Sequence, residues 1–213
     1  DSGQDAAMDE IVVGNGGKQV IFNAFFATID PGDEVLIPAP YWVSYPDAVI
    51  ANGGKPVFLP CGDEQGYKLQ PAQLEAAIGP RTRWLVLNSP SNPTGAVYAP
   101  HELQALAQVL LRHPRVMVLS DDIYQHIVFS GEPARGILSV EPALAPRVLT
   151  VNGVSKAYSM TGWRIGWGIG PRWLIAGIAV AQSQTTSCAS SIGQAAAAAA
   201  LESPADHLRE WNE

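Results

Sequence analysis

The chain has 213 residues and carries 20 Asp+Glu against 13 Lys+Arg, a formal net charge of −7. A protein that works by neutralising phosphates shows a basic surplus, so this balance argues against a nucleic-acid or anionic-membrane binder. At 47% hydrophobic and 15% charged, the chain holds enough apolar side chain for a core and lies far from disordered compositions.

In chain order, the glycine-rich stretch Gly14-Asn15-Gly16-Gly17 precedes an amphipathic run, Val20-Ile21-Phe22-Phe25-Phe26-Ile29, that predicts a helix over 18–29. The turn signal Pro31-Gly32-Asp33 introduces a strand over 34–37, and Gly53-Gly54 introduces another over 55–59. Helices are predicted over 71–78 and 100–112, each opened by a proline where the missing amide would have had no partner. Apolar runs at 84–87, 116–119 and 148–151 have the length of buried strands, and helices follow at 172–182 and 190–201. This alternation predicts an α/β fold with a mostly parallel, mixed central sheet and helices on both faces, in one domain over 1–213. The stretch 203–213 is polar.

No apolar stretch approaches the roughly 18 residues of a membrane span, and no export signal is visible at the start. Cys61 and Cys188 are too few for a disulfide framework, which fits a reducing cytoplasm. The histidines at 101, 113, 126 and 207 lack ligand spacing, so no metal is expected.

Open parallel sheets place ligand groups at the carboxyl ends of their strands. The strand at 84–87 runs into Asn88-Ser89-Pro90-Ser91-Asn92-Pro93-Thr94-Gly95, and the one at 116–119 into Ser120-Asp121-Asp122-Ile123-Tyr124. The strand at 148–151 runs into Asn152-Gly153-Val154-Ser155-Lys156. Three adjacent loops would offer an amide, a carboxylate with a phenol, and an amine at one edge. Taken singly, these are an ordinary tight turn, a cap beside a packing residue, and a surface lysine.

Taken together and in order, they resemble the signatures of the class I pyridoxal-phosphate aminotransferases, whose large domain has the fold type I architecture. The run Ser155-Lys156-Ala157-Tyr158-Ser159-Met160-Thr161-Gly162-Trp163-Arg164-Ile165-Gly166 extends the likeness. Gly14-Asn15-Gly16-Gly17-Lys18-Gln19, Pro40-Tyr41-Trp42-Val43-Ser44-Tyr45-Pro46 and Thr185-Thr186-Ser187 carry it toward bacterial aspartate-type members and over nearly the whole chain.

The resemblance implies pyridoxal 5′-phosphate as cofactor, an electron sink that holds an amine as a Schiff base and takes up the carbanion left by a departing Cα proton. Lys156 is then the amine and the proton carrier. Asp121, three residues before Tyr124, is the carboxylate at the ring nitrogen, and Asp122 a solvated or capping neighbour. Tyr124 and Asn92 are donors to the cofactor's phenolic oxygen. Gly16, Gly17, Lys18, Ser155 and Arg164 surround the phosphate, and Trp42 stacks on the ring. Where many relatives carry serine three residues before the lysine, this chain has Gly153. Lys18 has two candidate tasks, the phosphate or a distal substrate carboxylate.

The implied substrates are an amino acid and a 2-oxo acid, aspartate or glutamate type, with a homodimer in the cytoplasm and Thr185, Thr186 and Ser187 near the neighbouring subunit's phosphate. By resemblance, the chain is the cofactor-binding large domain, with an N-terminal segment and a C-terminal small domain lying outside it. The alternatives are other chemistry on the same cofactor, namely a carbon–sulfur lyase or an aromatic or prephenate transaminase, and a ligand-sensing domain of a transcription regulator.

Overall fold

In the computed structural model, residues 5–129, 133–204, 207–208 and 210 are described; residues 1–4 and most of the polar stretch 203–213 lie outside that set. The strands are β1 (Ile11–Gly14), β2 (Glu34–Ala39), β3 (Lys55–Pro60), β4 (Thr82–Asn88), β5 (Met117–Asp121), β6 (Val148–Gly153) and β7 (Gly166–Ile169). The helices are α1 (Gly17–Thr28), α2 (Ser44–Ala51), α3 (Pro71–Ala77), α4 (Pro100–Arg112), α5 (Arg172–Ser183) and α6 (Ser191–Glu202).

The strands form one sheet in the order β1-β7-β6-β5-β4-β2-β3. The four pairings from β3 to β6 are parallel, while β7 runs antiparallel to both β6 and β1. The expected mixed, mostly parallel sheet is therefore present. Successive side chains of a strand point to opposite faces, and both faces of the central strands are covered. Val35, Ile37, Trp84, Val86, Met117 and Leu119 pack with Val20, Phe25 and Ile178 of α1 and α5. Their alternates Leu36, Leu85, Leu87 and Val118 pack with Leu74, Leu103 and Leu106 of α3 and α4. This two-sided burial is why β2, β4 and β5 read as unbroken apolar runs. Trp84 is fully buried, edge-on to Phe25 at 5.7 Å, and its indole N–H donates to Thr28 Oγ1 at 2.9 Å.

Two strands and one helix go beyond the sequence reading. β1, Ile-Val-Val-Gly, has strand-forming residues but only four of them, and half of the four-residue β7 is glycine, so neither is long or regular enough to show as a strand pattern. They pair because the antiparallel edge needs backbone more than side chains. α2 carries Pro46 at its third position, which the first helical turn tolerates because its amide has no intrahelical acceptor. No described helix is long and apolar enough to cross a membrane.

Candidate active site

Since β4, β5 and β6 are neighbours, their carboxyl ends lie side by side, and a cavity of about 270 Å³ opens at that edge. Trp42, Asn92, Asp121, Tyr124, Ser155 and Lys156 line it, together with Gly17, Lys18 and Arg164. Of the residues expected to hold the cofactor within one chain, Gly16 alone is not in the lining, and it sits directly against the Arg164 guanidinium; Thr185, Thr186 and Ser187 also lie outside it.

Lys156 stands on the turn that follows β6. On either side, Val154 is buried with Ile165, Ala189 and Ala197, and Ala157 is itself buried, which anchors the turn and leaves Ser155 and Lys156 toward the cavity. The ammonium of Lys156 lies 5.6 Å from the Tyr124 ring centroid, so the amine and the phenol share one space. Gly153 has no room for a side chain: a Cβ there would stand 2.9 Å from the Ile165 carbonyl oxygen. Ser155 is thus the hydroxyl that the β6 turn brings to the cavity.

Asp121 ends β5 and is buried. Its Oδ2 accepts from the Tyr45 hydroxyl at 2.6 Å and its Oδ1 from the Ile123 amide at 3.3 Å. Burial pushes its pKa up to about 6, held back by those two donors. Asp122 departs from the expectation of a solvated or capping residue. It is 5% exposed, its Oδ1 accepts from Ser120 Oγ at 2.8 Å, and burial lifts its pKa to about 7. The physical reason is the chain path after β5, where the Asp122 amide still bonds to the Val151 carbonyl and keeps the residue inside the sheet edge.

The end of the cavity formed by Gly17, Lys18 and Arg164 is built from close backbone approach. β1 is antiparallel to an antiparallel strand, so its carboxyl end meets those of β5 and β6, and α1 starts there. Gly16, at φ +88°, makes the turn into α1, and the first helical amides, Gly17 and Lys18, have no intrahelical acceptor. Gln19 Oε1 accepts from the Asn15 amide at 2.7 Å, and Gln182 Nε2 donates to the Val13 carbonyl at 2.9 Å, so two glutamines brace this loop. Gln19 Nε2 also donates to Thr186 Oγ1 at 2.7 Å, tying the Thr185-Thr186-Ser187 turn to the same loop of its own chain. Arg164 adopts φ +56° and donates to the Thr161 carbonyl at 2.8 Å and the Asn15 carbonyl at 3.3 Å. Such a conformation is uncommon outside glycine and asparagine and gathers at functional sites.

Gly166 is the point of nearest approach. A Cβ there would collide with the Gly17 amide nitrogen and stand 2.7 Å from the Gly16 carbonyl carbon. Gly166→Ala is expected to push α1 off β7, destabilising the protein by about 1–3 kcal/mol and weakening phosphate capture roughly tenfold. Denaturant unfolding and a pyridoxal phosphate titration check both; an unchanged affinity would detach the loop from ligand binding.

Trp42 stands edge-on to Tyr45, centroids 5.3 Å apart at 87°, with the Lys18 ammonium 4.8 Å from its own centroid. Asn88, at the end of β4, donates from Nδ2 to the Asp121 carbonyl and accepts at Oδ1 from the Asn92 amide, stapling two site loops together. Tyr45, Gln19, Gln182 and Asn88 received no role from the sequence. Their partners are up to 169 positions away, so only the fold reveals them. Among the described residues no group of His, Cys, Asp or Glu could hold a metal ion.

The donor set fits pyridoxal 5′-phosphate. A buried carboxylate suits a protonated ring nitrogen, a lysine amine suits the aldehyde, and a guanidinium with helix-start amides against a glycine cradle suits the dianion. Comparison with known proteins agrees. The family model for aminotransferase class I and II matches residues 3–213. The aspartate aminotransferase of Rhizobium meliloti is 57% identical over 206 residues, which cover 97% of this chain and 50% of that protein. The aspartate/prephenate aminotransferase of Cereibacter sphaeroides is 56% identical over 199 residues, covering 93% of this chain and 50% of that one. The crystal structure of the Rhizobium meliloti aspartate aminotransferase superposes with a TM-score of 0.97 at 55% identity, over 99% of this chain and 52% of that one. The chain spans about half the length of the curated relatives it matches. With the motifs converging on one cavity and the match running through almost every residue, the chain belongs to the class I and II aminotransferases.

Proposed function

We propose that this chain is the cofactor-binding domain of a transaminase that moves the amino group of an aspartate- or glutamate-type donor to a 2-oxo acid. The observation that carries the reading is the meeting of Lys156, Asp121 and Arg164 in one cavity, from stretches of chain that no local pattern joins. When bound, the cofactor supplies an aldehyde for amines and a pyridinium ring that takes up an electron pair. Asp121 holds the proton on the ring nitrogen, and its burial strengthens that charge-assisted bond. Lys156 would hold the cofactor's aldehyde through Nζ and, when that amine is free, would be the base that moves the substrate's Cα proton. Tyr124 and Asn92 donate to the phenolic oxygen. Arg164, Ser155 and the Gly17 and Lys18 amides fix the phosphate. The Trp42 indole, which lines the cavity, would supply an aromatic surface for the cofactor ring.

Lys18 reaches over Trp42 from the exposed side, which suits the distal carboxylate of a dicarboxylic substrate better than the phosphate. With the intact protein, aspartate and 2-oxoglutarate, glutamate should form. Lys18→Met should raise the KM for aspartate about tenfold or more, with kcat little changed, because one charge-assisted contact is lost in the ground and transition states alike. Release of pyruvate and ammonia in place of a new amino acid would instead mark a lyase. A prephenate-type acceptor, as named for the Cereibacter relative, is the second reading and would use the same residues.

The expected partner is a second copy. Phe26 on α1 and Trp173 and Val180 on the adjoining α5 are 53–65% exposed, more apolar surface than a lone domain usually shows on two neighbouring helices. Two free cysteines, Cys61 buried and Cys188 exposed, support a reducing compartment such as the cytoplasm.

A further inference from the structure

We propose that Tyr45 is a positioning residue for Asp121: its buried hydroxyl holds one carboxylate oxygen, keeping the other side of the carboxylate turned to the cavity and charged for the ring nitrogen of the cofactor. The geometry is a 2.6 Å bond from Tyr45 Oη to Asp121 Oδ2, with Tyr45 2% exposed and Asp121 4%. A bond this short to a buried carboxylate is of the charge-assisted kind. Burial and then the neighbouring Asp121 push the Tyr45 phenol well up, so it stays protonated and donates.

The groups facing Asp121 are Tyr45 from α2, Asp122 and Tyr124 beside it in the chain, and Lys156 from the β6 turn across the cavity. Of the two donors to its carboxylate, the Ile123 amide stands at 3.3 Å against 2.6 Å for the Tyr45 hydroxyl, which makes Tyr45 the principal restraint. Tyr45 also stands edge-on to Trp42, so the same residue sets the carboxylate and the aromatic ring next to it. A buried carboxylate that lost its donor would hold its own proton more tightly and swing freely. As a neutral acid it would serve a pyridinium poorly.

This rests on the cofactor reading above, and the test separates the two. Tyr45→Phe keeps the ring against Trp42 and removes only the hydroxyl. It should weaken pyridoxal phosphate binding about tenfold in the protein as it stands and less than about twofold in an Asp121→Asn background. In the cofactor-free protein, the Asp121 carboxyl, followed by isotope-edited infrared difference spectroscopy, should titrate about one pH unit higher in Tyr45→Phe. Equal losses in both backgrounds, or an unmoved carboxyl midpoint, overturn the proposal. If the unsubstituted protein binds no pyridoxal phosphate, the cofactor reading fails while the carboxyl titration still decides the role of Tyr45. Should Tyr45→Phe not fold, a low-field hydroxyl proton resonance in the unsubstituted protein, lost in Asp121→Asn, supports the assignment, and its absence refutes it.

Discussion

Lys156→Ala should abolish covalent capture of pyridoxal phosphate and lower amino transfer by about 10²–10⁴-fold from the lost proton transfer alone. Borohydride treatment of the loaded protein, followed by peptide mass spectrometry, should find the reduced cofactor on Lys156 and nothing in the variant. The fold should be unaffected, because the turn is anchored by the packed Val154 and the buried Ala157 rather than by the lysine, and substitutions away from packed groups stay within about 0.5 kcal/mol. Lys18→Ala is the control: it also lines the cavity, and it should keep the adduct. An adduct of equal yield in Lys156→Ala would move the amine to another lysine and undo the assignment.

The second large effect is on stability against pH. Burial raises Asp121 to about 6 and Asp122 to about 7, whereas an unfolded chain releases these protons near 4. Between roughly pH 4 and 7 the folded cofactor-free protein therefore binds more protons than the unfolded chain, and its stability falls as pH rises. The contribution is complete below the unfolded value and is lost above the folded one, a few kcal/mol for the two groups together. Urea midpoints of the cofactor-free protein should be higher at pH 5 than at pH 8, and Asp122→Asn should flatten the difference by about half. A ligand that brings a cation to Asp121 favours its charged form, so pyridoxal phosphate should flatten it too. A midpoint that rises from pH 5 to 8 would show that the pair is ionised in the fold.

Much of this was legible in the chain because its signals are local. Pro100 at the first position of α4, with Glu102 reaching back to the Ala99 amide at 2.7 Å, announces a helix whose limits the sequence places correctly. β4 and β5 are legible because burial on both faces removes any polar alternation. The motif residues fall on strand ends, and parallel neighbours bring strand ends together. That is why Asn92, Asp121 and Lys156, from separate loops, share one cavity.

α2, β1 and β7 were not legible, for a common reason. Each exists through a contact with something far along the chain: Tyr45 with Asp121, Gly14 with Gly166 and Gly166 with Gly153. The burial of Asp122 is hidden from the sequence on the same account, since two adjacent aspartates look alike until the path after β5 buries both. The sequence by itself determined the layered α/β plan and the order of the motifs, which follow from side-chain type and local spacing, and its family resemblance supplied the candidate reacting groups. Only the tertiary structure decided which groups hold the reacting ones in place. A hydrogen bond such as Tyr45 to Asp121 depends on the meeting of segments 76 residues apart, a distance over which no pattern of propensity or hydrophobicity carries information.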